Sequence, residues 1–222
     1  MFEVSSQCTG RFQMIPFKNR LVSDYLSLYL NVSVQDCGGQ CARTSNCDSF
    51  SYQPKTNPSE CYLYRKRVWA GKTPAVNKEG LVTYWRLADH CPSEYILNTV
   101  YNTCFKAYIN TGDETTWSRA MTRCEEDGGY LFIASSMNRL QMVTDFVKNL
   151  KVYGQLTYVG GNDVYVKGTW EWIDGSTEFI WGLTEPNVFE EHCGAVKTQN
   201  PVDGLRDVHC DSLYGYLCEI PI

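Results

Sequence analysis

Apolar and polar positions change period several times along these 222 residues. Near the start they alternate, as in Arg11-Phe-Gln-Met-Ile and Leu26-Ser-Leu-Tyr-Leu, which predicts strands. Ser33 stands where a helix cap belongs, and Asp36 is placed to complete a capping box. In the helix that follows, Cys37 and Cys41 lie one turn apart on one face. Asn46-Cys-Asp48 reads as a turn, and Phe50 and Tyr52 fall on one face of a strand. Cys61-Tyr-Leu-Tyr64 and Leu81-Val-Thr-Tyr-Trp85 read as two further strands.

The second half opens with helical spacing. Trp117, Ala120, Met121 and Cys124 share a face, and Gly128 and Gly129 end that helix. Ser135 or Ser136 caps a second helix, with Leu140, Val143, Val147 and Leu150 along one stripe. Stripes of this kind are core rather than ligand sites. Tyr158-Val-Gly-Gly-Asn-Asp163 and the run Gly168-Thr-Trp-Glu-Trp-Ile-Asp-Gly-Ser176 return to alternation around turns. The pattern predicts an α+β chain, and its length allows one large or two small domains.

Charge sharpens the division. Residues 1–90 carry 11 Lys+Arg against 7 Asp+Glu, and residues 91–222 carry 9 against 18. Two modules with different surfaces account for this contrast. No basic run exceeds Arg65-Lys-Arg67, which argues against nucleic acid as a partner. No apolar run approaches the ~18 residues of a membrane span, and the first residues do not resemble a signal peptide. Eleven cysteines spread along the whole chain predict a disulfide framework in an oxidising compartment. Their spacings are not those of a zinc knuckle. The expectation is a secreted protein or the extracellular part of a cell-surface one, with Asn31-Val-Ser33 as a glycosylation acceptor.

The densest chemistry lies in Trp181-Gly-Leu-Thr-Glu-Pro-Asn187 and Glu190-Glu-His-Cys-Gly194. Glu185, Asn187, Glu190 and Glu191 offer side-chain oxygens within a few residues, as a hard cation such as calcium requires. Asp207 lies three residues before Cys210, so a bridge from Cys193 to Cys210 would draw Glu191 and Asp207 together. No Gly-x-Ser-x-Gly run and no serine–histidine–aspartate order is present, so no enzyme is expected.

Two resemblances organise these observations. Cys37-x3-Cys41-x5-Cys47-x2-Phe50-x-Tyr52 followed by Cys61-x-Leu63 resembles a PAN/apple domain, here over residues 1–88. The resemblance implies Cys37–Cys61 and Cys41–Cys47 bridges and a surface that binds protein or glycan. Residues 91–222 resemble a long-form C-type lectin-like domain in the opening Cys91 and Cys104, the Gly-x-Trp-x-Trp-x-Asp-Gly run and the order of the later cysteines. That resemblance implies Cys91–Cys104, Cys124–Cys218 and Cys193–Cys210 bridges. Five pairs leave Cys8 as an unpaired thiol or an interchain bridge in a homodimer; a Cys8–Cys91 pair, orphaning Cys104, is the alternative.

The second resemblance also implies a calcium ion held by Glu185, Asn187, Glu191 and Asp207, with a sugar completing its shell. The order Glu185, Asn187 resembles the mannose-type arrangement, for mannose, glucose, N-acetylglucosamine or fucose. Arg206 breaks the pattern, because it stands where the family has an asparagine and offers no oxygen. It either swings away from the metal or folds in beside Glu185 or Glu191 as a fixed cation, giving a calcium-independent or vestigial sugar site in a protein-binding ectodomain. A second calcium site is not expected: Asp163 remains, but Lys167, Val188 and His192 replace acids. His192 and His209 each precede a cysteine of the Cys193–Cys210 pair and could bind zinc or titrate; scattered surface histidines are the alternative.

Overall fold

The computed structural model describes residues 2–3, 10–54, 57–68, 75–109, 112–150, 154–197 and 204–222. Chain contacts divide it into two compact units, Met1–Asp89 and His90–Ile222. Cys8 lies outside the described residues.

The first unit is an antiparallel sheet with one helix. Its strands are β1 (Phe2–Glu3), β2 (Arg11–Val22), β3 (Ser27–Leu30), β4 (Ser49–Gln53), β5 (Glu60–Tyr64) and β6 (Ala75–Arg86), in the order β1-β2-β6-β4-β5-β3. Helix α1 (Val34–Arg43) begins as its sequence predicts, with Ser33 and Asp36 forming a reciprocal capping box. Its buried face carries Cys37 and Cys41, which are bonded to Cys61 on β5 and to Cys47 before β4. These bridges pack with Phe12, Phe50 and Leu63 into one core. Phe50 is edge-on to Phe12 and stacked on Tyr84.

The second unit contains α2 (Trp117–Glu126), α3 (Met137–Asn149) and a mixed sheet. The sheet strands are β7 (Ile96–Asn98), β8 (Thr103–Tyr108), β9 (Tyr130–Leu131), β10 (Leu156–Asn162), β11 (Glu171–Trp172), β12 (Cys193–Lys197), β13 (Leu205–Val208) and β14 (Gly215–Pro221). They run in the order β13-β12-β10-β14-β8-β7, with β11 beside β10 and β9 beside β14. The first and last long strands are neighbours: β8 pairs antiparallel with β14, with Thr103 opposite Pro221. Cys91–Cys104 ties the opening hairpin, and Cys124–Cys218 ties α2 to β14. The stripe Trp117, Ala120, Met121 and Cys124 is buried, as are Leu140, Val143 and Val147. Ser136, rather than Ser135, caps α3 by accepting from the Arg139 amide. Leu150 corrects the predicted stripe: α3 ends at Asn149, so Leu150 leaves the helical register and is exposed.

Candidate functional site

The site is built on the β12–β13 hairpin. Cys193 faces Val208, Gly194 faces Asp207, Ala195 faces Arg206 and Val196 faces Leu205. The Cys193–Cys210 disulfide closes the open end of this hairpin. Arg206 and Asp207 are therefore fixed on a strand rather than on a free loop.

The Trp181–Asn187 segment is laid against β13 by backbone bonds. Gly182 N donates to Leu205 O at 2.9 Å, and Leu205 N donates to Ile180 O at 2.9 Å. Gly204 makes this approach possible. Its φ is +75°, and a Cβ there would lie 2.4 Å from Gly182 N, so no other residue fits without displacing backbone. Trp181 anchors the start of the segment, stacked on Phe179, which in turn stacks on the buried Trp172. Beyond Trp181 the chain turns at Thr184 (φ 72°) and passes through a cis Glu185–Pro186 peptide.

Asp207 is the organising acid. It is 4% exposed. Its Oδ2 accepts from the Asn187 and Val188 amides, both at 3.0 Å, and its Oδ1 accepts from Asn187 N at 3.2 Å. Glu185 Oε2 accepts from Asn187 Nδ2 at 2.6 Å, and Glu185 Oε1 meets Arg206 Nη1 at 3.2 Å. Burial holds the Glu185 carboxyl up to about 7, helped by the hydrogen bond and charge of Asp207 and opposed by Arg206. Glu191 is also raised, by burial first and then by the charge of Asp207, with His209 opposing. His209 Nε2 lies 3.6 Å from Glu191 Oε1.

Glu185, Asn187, Glu191, Asp207 and Arg206 thus line one open polar cavity of about 220 Å³. Arg206 takes the second of its two predicted courses and folds inward onto Glu185. The histidines do not meet as a pair of ligands. His192 Nδ1 sits 2.9 Å from Asp163 Oδ1, while Asp163 Oδ2 accepts from Gly168 N at 2.7 Å. Asp163, His192 and the 163–168 turn therefore form a local clamp, reinforced by Asp163 N donating to His192 O. Asn31 is exposed, in a left-handed conformation at the end of β3.

In donor chemistry, three carboxylates and an amide oxygen suit calcium. In arrangement they do not fit it as found. The guanidinium sits among them, both Asp207 oxygens are engaged by backbone N–H groups, and the Asn187 amide turns its donor toward Glu185. Among the described residues no three His, Cys, Asp or Glu side chains converge as a metal site.

Sequence reasoning missed four members of this cavity, Leu156, Lys197, Val208 and Tyr214. Lys197 lies two residues beyond Ala195, on the face of β12 that also faces Arg206, and Tyr214 approaches from the loop before β14. The alternation of Gly-Ala-Val-Lys would have placed Lys197, had β12 been recognised as a strand.

Comparison with known proteins gives two family matches. Residues 113–220 match the Lectin C-type domain, and residues 19–64 match the PAN domain. No curated protein matches the chain. Among solved structures, human lithostathine is 19% identical, with a TM-score of 0.53, covering 60% of this chain and 92% of that one. The mouse scavenger receptor C-type lectin carbohydrate-recognition domain is 19% identical, with a TM-score of 0.50 over 60% and 98%. Herring type II antifreeze protein is 20% identical, with a TM-score of 0.50 over 60% and 99%. At these identities the likeness is one of fold.

Proposed function

We propose that this chain, a PAN domain followed by a C-type lectin domain, is an extracellular carbohydrate-binding lectin whose sugar enters the cavity lined by Glu185, Asn187, Glu191 and Asp207. The observation that carries the reading is the ion pair of Arg206 with Glu185 at 3.2 Å. It supplies a fixed cation inside the acid cluster and keeps the oxygen-bearing side chains in one place. In this reading binding does not depend on calcium. Glu185 and Glu191 present acceptors, and the second Nδ2–H of the exposed Asn187 presents a donor, to adjacent sugar hydroxyls. That alternation suits the equatorial pair of mannose, glucose, N-acetylglucosamine or fucose. The PAN domain adds a surface for protein contacts, and Cys8 the means of a covalent homodimer.

A second reading rests on donor chemistry. If Arg206 leaves Glu185, calcium held by Glu185, Asn187, Glu191 and Asp207 would supply the point to which two hydroxyls bind. The long arginine stem makes this displacement sterically accessible on a segment whose Arg206 side chain is one third exposed.

Calorimetric titration of metal-stripped protein with mannose, with and without calcium, separates the two. Mannose heats that are unchanged by calcium support the arginine site. A calcium isotherm that tightens with mannose replaces it by the metal site. No heat with either sinks the carbohydrate reading.

A further inference from the structure

The polar cavity is not uniformly acidic. The register of β12 and β13 orders its charges along the hairpin. Glu191 precedes Cys193, Asp207 stands at the level of Gly194, Arg206 at that of Ala195, and Lys197 two residues further on. Acids and bases therefore share the cavity: Glu185 lies against Arg206, and Lys197 stands beyond them along β12. Lys197 lines this cavity and sits opposite Leu156 of β10. Ala195 and Lys197 alternate onto the same face of β12, so Lys197 is the diagonal neighbour of Arg206.

Neither cation is used up. Glu185 engages Nη1 of Arg206, but the Nε–H of Arg206 has no acceptor among the described residues. Lys197 makes no ion pair or hydrogen bond among the described residues and is half-buried beside Val196. Lys197 thus brings into the cavity a positive charge that no acid among the described residues answers, beside an Arg206 that Glu185 already engages. Tyr214 also lines this cavity.

We infer that the ligand is an anionic saccharide: a sugar whose carboxylate or sulfate lies between Lys197 and Arg206, while its hydroxyls meet the acids. This deepens the carbohydrate reading and rests on it. Lys197 is then the residue that sets the preference for charge, and Arg206, held by Glu185 through Nη1, adds its positive charge beside it. Charge-assisted hydrogen bonds of this kind are roughly twice as strong as neutral ones.

The test compares three probes on the whole protein by calorimetry at low and moderate salt: mannotriose, a glucuronate-containing tetrasaccharide, and a sulfated tetrasaccharide. Expected is at least a tenfold preference for one or both anionic probes over mannotriose, shrinking as salt rises. Which of the two is preferred tells carboxylate from sulfate. Lys197→Gln should bring the anionic-to-neutral ratio toward one, Lys197→Glu below one, and Lys197→Arg should keep it. A ratio near one in the unmodified protein, with mannotriose still bound, overturns this inference and leaves the carbohydrate reading standing. A preference that Lys197→Glu does not move also overturns it. No binding of any probe overturns both.

Discussion

Arg206→Asn puts a neutral oxygen where a guanidinium now meets Glu185, and its consequences can be worked from the geometry. At 3.2 Å an isolated pair would attract by about 5 kcal/mol at an effective dielectric of ~20. Solvent reaches a third of the arginine side chain, so at most about 1 kcal/mol of this remains as net stability. Against calcium the same charge acts in reverse: a guanidinium about 4 Å from a divalent ion is repelled by roughly 8 kcal/mol at that dielectric. Even if the arginine escapes most of this by swinging outward, the replacement should tighten calcium at least tenfold, equivalent to ~1.4 kcal/mol. The assay is calcium titration at pH 8, where Glu185 is ionised, with thermal unfolding in parallel. The variant should melt below the unmodified protein without calcium and recover with it. Equal calcium affinity in both proteins, or a variant that melts at the same temperature with and without the ion, would refute the idea that Arg206 is the resident cation of an acid cluster.

Further outcomes follow from the same geometry. Asp207→Ala removes the acceptor for two backbone amides and should abolish sugar binding while lowering stability by about 1–3 kcal/mol; unchanged binding would place the site elsewhere. Glu185 binds its proton more tightly folded, at about 7, than unfolded, near 4.5. Its contribution is therefore fully present below pH 4.5 and is lost as pH rises toward 7, by about 3 kcal/mol at most. Glu185→Gln should flatten that slope in urea midpoints measured at pH 5 and pH 8, and an unaltered slope would assign it to other groups. Gly204→Ala meets both a positive φ and the Gly182 backbone, so it should cost more than about 2 kcal/mol and weaken sugar binding; a midpoint within error of the unmodified protein would contradict the close packing. A band of twice the monomer mass on a non-reducing gel, absent in Cys8→Ser, is the expected mark of the homodimer.

Much of the architecture could be read from the sequence because it rests on local chemistry. Ser33 with Asp36 names a helix start whatever surrounds it, and the stripe from Trp117 to Cys124 marks its own buried face. Leu150 was misread because periodicity does not record where a helix stops, and α3 ends one residue earlier. The site was legible as a set of oxygens, since Glu185, Asn187, Glu191 and Asp207 are few and close in sequence. Its electrostatic state was not. Whether Arg206 points in or out depends on a partner twenty-one residues away, and sequence spacing weighs both courses equally. Nothing in the sequence singles out Gly204, whose need to be glycine comes from the Gly182 backbone packed against it. His192 was open to several uses, and its pairing with Asp163 is a tertiary contact that no local pattern announces.

The pairing of Thr103 with Pro221, and the bridges on either side of it, also define a load path. If the second unit is pulled by its two ends, tension enters at His90, crosses from Cys91 to Cys104, and runs through β8 and α2 to Cys124. It then jumps to Cys218 and leaves through the last residues of β14. Everything from residue 125 to residue 217 hangs from this covalent short circuit and is never stretched. Glu185, Glu191, Lys197, Arg206 and Asp207 all lie inside it. A molecule that grips a glycan while being tugged along its chain would keep its grip unloaded, and reducing Cys124–Cys218 would be the way to make the grip feel the force.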